Sequence, residues 1–233
     1  ALVLWAFMKR APLWLIGLIS LASVIATQFV TPGSDHKGAL YSPLLRMLVI
    51  PGHTNIWVVF YPVVPWLGVT GLGLLFGEFL KRNTHRAGRL AGWTGLGFLT
   101  LFVIVRTSGG FGNLNEVPPG WMGFLNVIKY PPSVAFLAIT LGINLLVMGM
   151  WGWAGLRLQS RYHPLLVFGR VALFFYLLHL WVYSLLGIFL KTGSGLATMC
   201  GCWLLGLGIL YPLCYGYNRF KGHKSLTSLW RFF

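Results

Sequence analysis

The stretch VFGRVALFFYLLHLW, residues 167–181, is apolar enough for lipid, yet it contains Arg170 and His179. An ionised side chain at the centre of a membrane helix costs about 2.5–3.5 kcal/mol on insertion scales, so an ionisable group there is a functional candidate. Histidine titrates near neutral pH and is the usual general base. Tyr176 and Tyr183 stand three residues before and four residues after His179, on its own helical face. A histidine between two phenols is a candidate base lining a polar cavity. The plainer reading is a hydrogen bond that only holds helices together. Arg170 is nine residues from His179, about half a turn away on a continuous helix, so the two are not direct partners. It reads as a snorkelling cation, as a partner for Glu78, or as a group that helps hold the inner half of the bundle.

Other candidates lie between the apolar runs. GHTNIWVVFYPVVPWLGV, residues 52–69, places His53 above Pro62 and Pro65, two prolines expected to kink a membrane helix and free its carbonyls toward a cavity. RTSGGFGNLNEVPPGW, residues 106–121, follows a span with a Gly-rich loop. Arg106 and Asn113 there are candidates to orient a polar acceptor under a lid, against the alternative of an interfacial anchor and a flexible loop. FLNVIKYPPSVAF, residues 124–136, re-enters the membrane, with Lys129 and Tyr130 at the interface and Pro131 and Pro132 beginning a helix. Gly73 and Gly77 form a G-x-x-x-G, read as a close helix-packing face. The glycines of 68–77 follow no strand and open no helix, so a dinucleotide-binding reading fails. Cys200, Cys202 and Cys214 lie in one apolar run and read as small, buried and inert rather than as metal ligands.

These groups must be carried by membrane helices. The 233 residues are 57% hydrophobic and only 9% charged, against about a quarter charged in soluble domains. The fold class is all-α, a polytopic transmembrane bundle, because lipid admits only helices and closed barrels. Six complete spans of about 20 residues fit at 12–30, 56–80, 90–106, 130–151, 165–190 and 195–216, with a truncated one ending at Met8. The chain starts in mid-hydrophobic run at Ala1, which reads as the tail of a helix whose N-terminal part is missing. Residues 1–216 read as a single membrane domain and 217–233 as a basic, aromatic tail.

The net charge of +15 does not indicate nucleic acid, since Lys and Arg are scattered between apolar runs instead of forming a stripe. Twelve of the 18 fall on one side, including Arg82, Arg86, Arg157 and Arg219. By the positive-inside rule that side is cytoplasmic, the C-terminus is inside, and the loops 31–55 and 107–129 face outward. The three acids, Asp35, Glu78 and Glu116, leave no carboxylate pair for glycoside hydrolysis and no cluster for Mg²⁺, and no metal site is expected.

Together and in this order, GHT…VVFYPVVPWLGVTGLG, FLNVIKYPPSVAF and LLVFGRVALFFYLLHLW resemble the bacterial membrane proteins related to heparan-α-glucosaminide N-acetyltransferase. The resemblance runs from about residue 12 to 216. It implies an integral protein of the bacterial inner membrane that passes an acyl group, typically acetyl, from cytoplasmic acyl-CoA to an amine or hydroxyl of a sugar or glycan. Acyl-CoA is then a co-substrate, with no permanently bound cofactor. The bilayer is a partner, and self-association remains open. Family members carry a transfer histidine in an early helix that has no counterpart here. They often read Tyr-Gly-Asp-Pro where this chain has Phe111-Gly112-Asn113-Leu114. On this reading His179, Tyr176 and Tyr183 serve catalysis. His53, Arg106, Asn113, Lys129 and Tyr130 contact the acceptor, and Arg82, Arg86 and Arg170 meet the CoA phosphates. The alternatives are a transporter or flippase for a glycolipid or polar solute, and a non-enzymatic membrane subunit.

Overall fold

The computed structural model describes residues 4–5, 11–30, 42–53, 58–154, 162–190, 195–225, 228 and 230. Most of the expected helix tail ending at Met8, all of 31–41 with Asp35, and part of the C-terminal tail lie outside the described residues. Two compact units are present, Ala1–Leu156 and Arg157–Phe233. The first holds α1 (Leu13–Val30), α2 (Pro43–Leu48), β1 (Gly52–His53), β2 (Val58–Val59), α3 (Val63–Arg82), a 3₁₀ turn (Thr84–Arg86), α4 (Ala87–Ser108), α5 (Gly120–Leu125) and α6 (Val134–Trp153). The second holds α7 (Pro164–Arg170), α8 (Ala172–Ile188) and α9 (Leu196–Gly222). Among the described residues five helices are long and apolar enough to cross a membrane, and the bent pair α7–α8 makes up to six.

The first unit is built from two helix pairs. In α1, Ser20, Ser23 and Thr27 are buried along one face, a row of small residues that lets a neighbouring backbone approach. The Ser20 and Thr27 hydroxyls donate to the carbonyls of Ile16 and Ser23 at 2.6 and 2.7 Å, so these two donors are met within the helix. α3 answers with Gly68 and Gly71, where an added Cβ would strike Ser20 and the Trp5 ring. α4 and α6 meet glycine on glycine: Gly88 with Gly152, Gly92 with Gly149, and Gly95 with Gly142 and Leu146. The expected packing pair is a different matter. A Cβ on Gly73 or Gly77 would meet nothing within 4 Å, so the G-x-x-x-G faces open space and the close contacts fall on other glycines.

Pro62 and Pro65 do not kink a span. Pro62 is the N-cap of α3 and Pro65 lies in its first turn, where a missing N–H breaks no helical bond. The chain before it is extended, Gly52 and His53 pairing with Val59 and Val58 in a two-residue antiparallel ladder. Gly52 has φ +149°, and a Cβ there would collide with the Arg46 guanidinium, so only glycine fits. Likewise α6 begins at Val134, after Pro131 and Pro132, with the Ser133 hydroxyl accepting from the Phe136 N–H at 3.0 Å. A polar link joins the two pairs at this end. Gln28 of α1 donates to the Pro132 carbonyl at 3.3 Å and accepts from the Val134 N–H at 3.4 Å.

In the second unit the expected single helix 165–190 is broken. α7 and α8 meet at Val171 with a bend of 101°, and Val171 itself has left the helical region at φ −126°, ψ 41°. Val167, Val171 and Cys214 form a fully buried core at the elbow, faced by Phe168, Phe174, Tyr211 and Tyr215. The Arg170 carbonyl, released by the break, accepts from Lys221 Nζ at 3.1 Å. Of the cysteines, only Cys214 is buried; Cys200 is exposed on its helix and Cys202 is half-buried.

Candidate functional site

The loop after α4 is organised by one buried cation. α4 ends at Gly109 in the left-handed conformation, φ 67°, which turns the chain back. Arg106 in the last turn is 3% exposed. Its Nε donates to the Phe124 carbonyl at 2.8 Å, Nη2 to the carbonyls of Gly123 and Asn126 at 2.5 and 3.1 Å, and Nη1 to Asn113 Oδ1 at 2.8 Å. Asn113, 2% exposed, passes the connection on through Nδ2 to the carbonyls of Val105 and Gly110 at 2.8 and 3.2 Å. The fork of five donors on Arg is suited to holding several carbonyls at fixed angles. Arg106 and Asn113, expected from the sequence to orient an acceptor, therefore hold the loop itself together, and the loop is braced rather than loose.

Lys129 and Tyr130 are placed differently. The Tyr130 and Tyr61 hydroxyls are 2.9 Å apart, their rings stand edge to face at 5.3 Å, and Lys129 Nζ lies 5.0 Å from the Tyr130 ring centre. Phe60 packs on Tyr130 at 5.8 Å. The hydrogen bond with Tyr61, aided by the Lys129 ammonium, holds the Tyr130 phenol below the usual tyrosine range, against the opposing effect of partial burial. An exposed and a half-buried phenol with a cation alongside suit a polar, ring-shaped ligand, since aromatic faces take its C–H groups and hydroxyls bond its edges. His53 is exposed on β1. A cavity of about 410 Å³ opens beside this group, lined by Met47, Val58, Val59, Phe60, Tyr61 and Val63. Tyr61 and the buried Arg46, whose Nη1 donates to the Pro51 carbonyl at 2.9 Å, were not singled out from the sequence. An aromatic residue directly before a helix-capping proline was the available signal for Tyr61.

In the second unit, His179 sits on α8 with Tyr176, Tyr183 and Phe175 around it, at ring-centre distances of 5.2, 6.4 and 5.7 Å, the last pair stacked within 8°. The expected common face is therefore present. His179 Nδ1 is buried with no hydrogen-bond partner among the described residues, a costly arrangement for a polar atom. Tyr183 is committed to packing: its hydroxyl donates to the Trp203 carbonyl at 2.8 Å, and its ring fills the space a Cβ on Gly206 would need. Tyr176 is 49% exposed.

The cations expected to meet the donor are surface groups. Arg82 pairs with Glu78 at 2.9 Å, one turn apart on α3, so Glu78, once a candidate partner for Arg170, is engaged on its own helix. Arg86 is exposed in the 3₁₀ turn. Arg170 is exposed at the end of α7, at the elbow rather than within a continuous span, so it carries no charge into the middle of a straight membrane helix. Among the described residues no group of three or more His, Cys, Asp or Glu could hold a metal ion.

Residues 1–108 match the family model described as heparan-alpha-glucosaminide N-acetyltransferase, catalytic. No curated protein and no solved structure matches the chain.

Proposed function

We propose, from the kinship of residues 1–108 with the catalytic domain of heparan-alpha-glucosaminide N-acetyltransferase, that this protein is an integral membrane acyltransferase. It moves an acetyl group from acetyl-CoA, on the side of the basic loops, to an amine or hydroxyl of a sugar or glycan on the opposite side. That kinship is the observation that carries the reading, and helices long and apolar enough to cross a membrane support it.

The chemistry needs a base for the acceptor proton and a group that stabilises the oxyanion of the attacked thioester. His179 is assigned the base, because its Nδ1 is enclosed and unmet. It takes the proton as the acceptor attacks the carbonyl carbon; the C–S bond then breaks, and the imidazolium returns the proton to the departing thiolate, which leaves as CoA thiol. Lys129, Tyr130, Tyr61 and His53 are assigned to acceptor binding. Arg86 and Arg170 are assigned to the phosphates of the donor, each as an exposed cation. His179 and Arg170 belong to the second unit and the other residues to the first, and each assignment is made within its own unit.

The test is release of free CoA from acetyl-CoA by the purified protein in detergent, with and without a panel of amino sugars and glycans. Acceptor-dependent release supports the proposal. Silence across the panel, with no binding of CoA esters, moves the assignment to a transporter. The 101° break between α7 and α8 is the feature that favours this second reading, since interrupted helices are common in transporters. Movement of an unmodified solute across vesicles would establish it.

A further inference from the structure

Within the first unit the two helix pairs do not close on one another along their whole length. α1 packs on α3 and α4 on α6. The pairs are joined at one end by the turn Thr84–Arg86 and at the other by Gln28 bonded to the start of α6. Between them lies a cavity of about 400 Å³, lined among others by Leu72, Gly73, Phe76 and Phe79 of α3, Phe98 of α4 and Leu145 of α6. Along α3 the lining runs from Val69 to Phe79, about 15 Å at 1.5 Å per residue. That is about half of a 30 Å hydrocarbon core, the depth of one leaflet.

Size decides what fits. A helix 10 Å across and 15 Å long fills about 1,200 Å³, more than the 910 Å³ of all empty space in and around the cavity, so a whole helix does not fit it. Its lining is apolar, so water is a poor occupant. One lipid tail matches in length, polarity and volume. Phe79, the last lining residue of α3, stands within a turn of that helix's C-terminus, and the chain around the following turn carries the exposed cations Lys81 and Arg89, Arg82 being paired with Glu78. A cluster of that sign attracts the phosphate of an anionic lipid.

We propose that this crevice is a binding site for an anionic phospholipid of the leaflet on the basic side. One tail lies between the helix pairs against Gly73, and the phosphate rests on the Lys81–Arg89 rim. Gly73 is then required for space rather than for helix packing, which accounts for its open surroundings. The proposal does not rest on the acyltransferase reading.

Native mass spectrometry of the delipidated full chain, titrated with phosphatidylglycerol or phosphatidylcholine, tests it. Phosphatidylglycerol is expected to be retained preferentially. Gly73→Phe fills the cavity and is expected to abolish that retention, while Gly77→Phe, also in open space but outside the lining, leaves it unchanged. Leu145→Phe fills the same cavity from α6 and serves if Gly73→Phe does not fold, as judged by thermal melting. Lys81→Gln with Arg89→Gln lowers retention about tenfold or more, as removal of two surface cations from an anionic headgroup implies. Equal retention of both lipids, full retention by both filling variants, or displacement of the lipid by coenzyme A would overturn the proposal.

Discussion

His179 offers a buried ring nitrogen, unmet among the described residues, on the apolar helix α8, with phenols above and below it. The base assignment predicts that His179→Ala lowers acceptor-dependent CoA release by about 10²–10⁴-fold, the usual worth of a positioned base. The melting temperature should stay close to the parent's, because no hydrogen bond is lost. Wild-type turnover in that variant would remove His179 from the mechanism. Replacing Tyr183 by Phe should instead cost about 0.5–1.5 kcal/mol of stability, since its hydroxyl ties α8 to the Trp203 carbonyl of α9. At the other phenol pair, Tyr61 and Lys129 favour the ionised form of Tyr130. The folded value lies below the unfolded one, so this contribution to stability is present above the unfolded tyrosine range and is lost as pH falls through the folded value. It is therefore absent at neutral pH. Ultraviolet titration of Tyr61→Phe should show one phenol ionising at higher pH than in the parent; an unchanged curve would deny the coupling.

At the scale of elements, two kinds of glycine are distinguished by what surrounds them. Gly149 lies so close to Gly92 that an added Cβ would stand 2.6 Å from its Cα. Gly149→Ala should drive α4 and α6 apart and cost about 1–3 kcal/mol. Gly77→Ala enters open space and should stabilise the helix by about 0.5–1 kcal/mol, the ordinary penalty for glycine in a helix interior. Thermal melting of the pair in one detergent checks both signs. The α4–α6 connection adds a second contrast. Arg106→Leu deletes four hydrogen bonds and leaves buried carbonyls unmet, which should cost at least about 3 kcal/mol. Protease cleavage within 109–119 should appear in that variant before any other segment is cut. Resistance equal to the parent's would show that the loop is held by something other than the guanidinium.

For the whole molecule, the distribution of Lys and Arg sets an orientation that can be measured. In a variant without Cys200, Cys202 and Cys214, a single cysteine replacing exposed Glu116 should react with an impermeant maleimide from outside intact cells. One replacing exposed Arg86 should react only after permeabilisation. Labelling of both from the same side would contradict the positive-inside reading and, with it, the assignment of donor and acceptor to opposite sides.

Much of this was readable without coordinates. Long apolar runs without strand alternation become helices in lipid, so the all-α class followed from composition, and α1, α4 and α6 begin and end within a few residues of the expected limits. Helical spacing alone placed Tyr176 and Tyr183 beside His179. What spacing could not reveal was which backbone lies against which. Gly73 and Gly77 have the same spacing as Gly88 and Gly92 of α4, yet only the latter pair meets a neighbour, because contact depends on the partner helix and not on the repeat. The break at Val171 was hidden for a similar reason. No proline marks it, and it is held by a distant core around Cys214 and by Lys221 on a freed carbonyl. Arg106 and Asn113 looked available because a sequence lists donors without their acceptors; only the folded loop shows that the carbonyls of 105–126 take them up. Composition and periodicity determined what must be buried in lipid, and tertiary packing alone decided which polar groups were left over.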